Sequence, residues 1–157
     1  MKFRCLLLFV FIVPGLKAQT ISPISTEISV KPGKTARGSF QFQNNLLTTS
    51  AATVEIFNFS IENGKPKTRP LDPTTHVELG QSPSVKLGAK EIYQWDYKIR
   101  CDTPSCNVVF KVSEFTGKTP EGLAVKIILP TVVYVGNSKH PRKDALDAAG
   151  VVLAARK

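Results

Sequence analysis

The chain has 157 residues and a formal net charge of +9, a length that suits one domain with or without appendages. Lys2, Arg4 and Lys17 fall in a leader-like start. Lys139, Arg142, Lys143, Arg156 and Lys157 outweigh Asp144 and Asp147 in the tail, so a net of only +3, interspersed, is left on the body. A nucleic-acid-binding domain concentrates its basic residues on one face or element, so this distribution speaks against nucleic acid as a partner.

Residues 1–18 read as a secretory signal peptide. Lys2 and Arg4 open it, Cys5–Val13 is apolar, Pro14-Gly15 breaks the run, and Ala18 is a small residue suited to cleavage before Gln19. The apolar run is too short for a bilayer-spanning helix, which needs about 20 residues. The expectation is an exported, periplasmic protein with no membrane span once the leader is removed. Cleavage leaves Cys101 and Cys106, which an oxidising compartment joins by default. A ring that small stabilises by only about 2 kcal/mol. The spacing is not C-x-x-C, which argues against a redox site.

Residues 19–136 read as strands separated by turns. Ile24–Lys31 is stopped by Pro32-Gly33, and Thr35–Gln43 places Phe40 and Phe42 on one face before Asn44-Asn45. In Ala52–Ile61, Val54 and Ile56 give way to Phe57, Phe59 and Ile61, a change of face that predicts a bulge or a change of sheet. Asn63-Gly64 is a strong turn signal. The proline-rich, basic Lys65–Pro73 reads as a loop, and His76–Leu79 as a short edge strand.

Lys90–Arg100 alternates most clearly, with Tyr93, Trp95, Tyr97 and Ile99 on one face. Asn107–Phe115 is expected to pair with it across the cysteine loop. After a turn at Gly117–Gly122, Leu123–Val135 (LAVKIILPTVVYV) closes the body with Val125, Ile127 and Leu129 on one face. The fold expected is all-β: a single immunoglobulin-like β-sandwich of about seven strands with Greek-key connections. In the tail, residues 137–157, Pro141 can open a short helix carrying Ala145, Ala149, Val152 and Leu153 on one face. The other reading is a remnant of a truncated second domain.

No catalytic or metal site is expected, and no cofactor. His76 and His140 have no matched carboxylate or nucleophile in the sequence pattern. Hydrolase, metalloprotease, phosphate-loop and dinucleotide motifs are absent.

The phrases SVKPGK, FQFQNN and IENGK, a late aromatic strand, and a last strand ending V-V-Y-V resemble the N-terminal domain of the periplasmic pilus (fimbrial) chaperones over about Ile21–Gly136. The resemblance implies that the last strand is donated to an unfinished pilus subunit. Backbone bonds then supply affinity, and alternate side chains fill pockets. Val125, Ile127 and Leu129 are the residues implied to do so. The family holds the subunit's terminal carboxylate with an arginine and a lysine, yet here Glu27 and Thr131 stand at the matching positions, with Lys126 out of register. Pro130 removes a backbone donor and is expected to kink the strand or confine it to an edge. The function expected is an exported chaperone-like module for a secreted or pilus-type subunit. The alternatives are a structural or adhesive module contacting partners through Lys65–Pro73, and a non-functional remnant.

Overall fold

The computed structural model describes residues 19–116 and 125–150. The expected leader (residues 1–18), the expected turn at Gly117–Gly122 and the tail beyond Gly150 lie outside the described residues. In chain order the elements are β1 (Thr20–Ser22), β2 (Ser25–Ser29), β3 (Thr35–Gln43), β4 (Ser50–Glu62), β5 (Lys65–Arg69), β6 (Thr75–Leu79), β7 (Ser84–Leu87), β8 (Ile92–Cys101), β9 (Ser105–Thr116), β10 (Val125–Gly136) and α1 (Pro141–Ala148).

Period-two alternation builds the sandwich. In β8, Trp95, Tyr97, Ile99 and Cys101 are buried while Gln94, Asp96, Lys98 and Arg100 face water. β3 repeats the pattern with Ala36, Phe40 and Phe42, and pairs antiparallel with β8, Phe40 opposite Trp95. These strands centre a four-stranded sheet, β1-β3-β8-β6. The facing sheet runs β2-β10-β9-β4-β5, with β7 also paired to β4. Its inner face presents Ala52, Val54, Val108, Phe110, Val112, Val133 and Val135. Phe110 reaches across to Phe40 and Tyr97, with ring centroids 5.1 and 5.0 Å apart. Such aromatic pairs add to the burial that closes the two layers. The result is a two-sheet immunoglobulin-like sandwich, with ten strands and one short helix among the described residues.

The structure corrects several expectations. Ten strands replace about seven, because β1, β5 and β7 bury too few side chains to mark themselves in the sequence. β8 and β9 do not form a hairpin: they lie in opposite sheets, and the Cys101–Cys106 disulfide spans the crossover between them, Cα to Cα 5.9 Å. Lys65–Arg69 is an edge strand rather than part of a loop. Asn63 (φ 52°) and Gly64 (φ 72°) turn the chain so that Glu62 faces Lys65, as a two-residue hairpin turn with positive φ at both positions does. β4 carries no bulge through Ala51–Asn58, where its register with β9 is unbroken. Phe57 and Phe59 instead occupy its outer face. Phe57 lies under the Lys111 ammonium, 4.8 Å from the ring centre, and Phe59 meets the edge of Tyr134.

The tail helix does form. Pro141 opens it and Gly150 (φ 68°) follows its end, in the left-handed conformation that commonly terminates helices. The buried Leu146 faces the body, and α1 rests on β10, β2 and β4.

Candidate functional site

β10 has two halves with different neighbours. One side pairs antiparallel with β9 throughout, from Val125 opposite Thr116 to Gly136 opposite Ser105. The other side pairs parallel with β2, and only from Val132 to Gly136. Among the described residues no strand covers that second side of Val125–Thr131. The last strand is therefore central in its second half and an open edge in its first.

The polarity of that edge follows from the hydrogen bonds below it. Val132 N–H donates to the Ile24 carbonyl at 3.0 Å, and the Gly136 carbonyl accepts Val30 N–H at 2.8 Å. Backbone groups along a strand alternate sides. Ile128 and Pro130 therefore turn their backbone polar groups toward the same side as Val132 and Gly136, the open one. Pro130 consequently costs no bond to β9. The strand is unkinked in register there, and the sequence expectation of an edge location holds.

Side chains follow the same parity. Ile127 and Leu129 are half-buried, and Leu129 packs against the core on the inner face with Val133 and Val135. The side chain of Val125 lies outside the described residues. The sequence reading missed Ile128, which turns to the outer face and is 48% exposed, and Ile24, 74% exposed in the β1–β2 link. Both flank the open edge. Their signal was available only as apolar residues out of step with the core pattern.

The two anchor positions are used internally. Thr131 is buried and its hydroxyl donates to the Pro23 carbonyl at 2.6 Å, holding the β1–β2 link against β10. The Glu27 carboxylate accepts the Arg142 N–H at 3.2 Å, at the first turn of α1, where an anion is favoured by the helix dipole. Tyr134 lies beneath this contact, nearly buried. Burial pushes its phenol above the ordinary value, with Arg142 acting the other way. A groove of about 430 Å³ runs between α1 and the ends of β4 and β9, lined by Ser60, Asn107, Pro141 and Asp144 among others. Lys126 is exposed, His140 lies just before α1, and His76 meets Asp102 at 3.0 Å on the surface.

No protein-family profile and no curated protein matches the chain. Solved structures do. The PapD-like domain 7 of human CEP192 superposes with a TM-score of 0.56 at 13% identity, over 88% of this chain and 97% of that one. The class 5 fimbriae chaperone CfaA gives 0.56 at 13% identity, over 78% of this chain and 57% of that one. The CsuC–CsuE chaperone–tip adhesion subunit complex of Acinetobacter baumannii gives 0.53 at 12% identity, over 86% and 62%. The chain thus has the PapD-like immunoglobulin fold. It spans about three-fifths of the length of the matched chains in the two chaperone structures.

Proposed function

We propose that this is an exported, periplasmic binding module that captures an extended segment of a secreted partner along the open half of β10, without a catalytic step. The observation that carries the reading is that edge: a half-strand, Val125–Thr131, paired on one side only among the described residues, offering the backbone of Ile128 and the Pro130 carbonyl. Ile127, Leu129 and Ile128 lie along it. Strand addition of this kind takes affinity from the main chain and selectivity from alternate side chains. A pilus-type subunit is the partner class suggested by the fold's chaperone relatives, one of which is solved with a tip adhesion subunit. Val125 and Ile127 would then reach the partner's pockets, with Leu129 held against this chain's own core.

A second reading is supported by Glu27 and Thr131. Both serve contacts within the chain, so a partner's terminal carboxylate finds no cation at either place. A structural or adhesive module that does not release its partner accommodates this, with the exposed β5 edge as its contact.

The substitution Ile128→Pro separates the two. It removes the outward N–H and leaves the bonds to β9 in place. Loss of partner capture from the native envelope, with an unchanged unfolding midpoint, supports strand addition. Undiminished capture, lost instead on charge reversal at Lys67 and Arg69, supports the second reading.

A further inference from the structure

A buried carboxylate stands at the end of the sandwich beside the open edge. Glu114 is fully buried on the inner face of β9, in register with Ala52 of β4 and Ile127 of β10. Its Oε2 accepts a hydrogen bond from Gln19 Nε2, and its Oε1 has no hydrogen-bond partner among the described residues. Gln19 is itself only 7% exposed. A neutral amide answers half of what a buried carboxylate requires, and carboxylates held inside proteins are as a rule paired with a cation or fully hydrogen-bonded.

Gln19 is also the residue that the sequence reading places just after leader cleavage. Hydrolysis of the Ala18–Gln19 bond adds water across it. Ala18 leaves with a carboxylate, and Gln19 gains an α-amino group that takes up a proton. By the bond lengths of one residue, that nitrogen lies no more than about 6 Å from the Nε2 already touching Glu114.

We propose that Glu114 is the receptor for the mature amino terminus: the ammonium released by leader cleavage pairs with its carboxylate and completes the site. Glu114 belongs to the six-stranded sheet, and Gln19 leads into β1 of the four-stranded sheet. The pair therefore ties the two layers together next to Ile127, where the partner-binding edge begins. Removal of the leader and consolidation of that end of the fold become one event. The proposal rests on the export part of the function above and not on strand capture.

The test has two steps. Intact mass of the protein recovered from the periplasm should give Gln19 as first residue; any other start overturns the proposal at processing. Purified chains beginning at Gln19 or at Ala18 are then unfolded in urea, each with Glu114 and with Glu114→Gln. With Glu114, the Gln19 start should raise the folding equilibrium constant about tenfold over the Ala18 start. With Glu114→Gln the two starts should agree within about twofold. An equal gap in both backgrounds overturns the pairing. Should Glu114→Gln not fold, Glu114→Asp, which withdraws the charge by one methylene, serves as the second background, and the gap should shrink there as well.

Discussion

Asn44 offers the sharpest test of how the sandwich holds its loops. It is wholly buried where β3 ends. Its Nδ2 donates to the carbonyls of Thr48 and Gly88, both at 2.9 Å, and its Oδ1 accepts the Leu46 N–H at 3.0 Å. One side chain thus folds the 44–49 segment back on itself and pins it to the turn before β8. Asn44→Ala removes all three bonds and leaves two carbonyls and an N–H without them. At about 1 kcal/mol net for each bond, the expected loss is about 3 kcal/mol, more where water cannot reach the groups left behind. With a urea slope of roughly 2 kcal/mol/M, the midpoint should fall by about 1.5 M at unchanged slope. Asn44→Asp keeps the acceptor for Leu46 but turns a second oxygen toward the two carbonyls, and should be no better than alanine. A shift smaller than about 0.5 M for Asn44→Ala, less than one hydrogen bond's worth, would refute the reasoning.

Other expectations follow from the same geometry. A Cβ on Gly38 would stand 2.6 Å from Cζ of Tyr97, whose ring lies across the glycine from the neighbouring strand. Gly38→Ala should therefore destabilise by about 1–3 kcal/mol, as overpacking does, in the same urea assay. Glu27→Ala takes the carboxylate from the start of α1; exchange of the Arg142 amide should quicken several-fold, with the global midpoint lowered by only about 0.5–1 kcal/mol equivalent. The carboxyls of Glu62, Asp96 and Asp102 are held below their ordinary values. The principal causes are hydrogen bonds from Lys67, Gln94 and His76 respectively. A folded-state value below the unfolded one stabilises above the unfolded value and ceases to do so as pH falls through the folded one. The urea midpoint should therefore decline below about pH 4. Asp102→Asn should make the decline shallower, and a midpoint rising on acidification would contradict the assignment.

Much of this fold is legible where burial is one-sided. β3 and β8 alternate because each has one face on the core, and their extents match the sequence reading closely. The sequence of β5 reads as part of a loop because all five of its residues are exposed and Pro66 interrupts it; an edge strand with no buried face leaves no pattern. The expected pairing of β8 with β9 fails for a different reason. Alternation reports which face a residue takes, not which strand lies beside it, and Tyr97 meets Phe110 across the sandwich rather than along a ladder. The candidate site was legible in part. Ile127 and Leu129 share one face as expected, and that face is the inner one of the sandwich; Pro130 marks the edge. Ile128 and Ile24 become visible only with the register to β2. Gln19 and Glu114, 95 residues apart, carry no sequence signal of their meeting.

The central claim is that a partner's chain lies along the open half of β10. A photo-crosslinking amino acid placed at residue 128 in the full chain, activated in the native envelope, tests it most directly. The account predicts one dominant adduct, mapped to an extended apolar segment of an exported β-protein and lost when Ile127 and Leu129 are replaced by serine in a chain that still folds. No adduct at residue 128, with strong adducts from a probe on β5 instead, would contradict it.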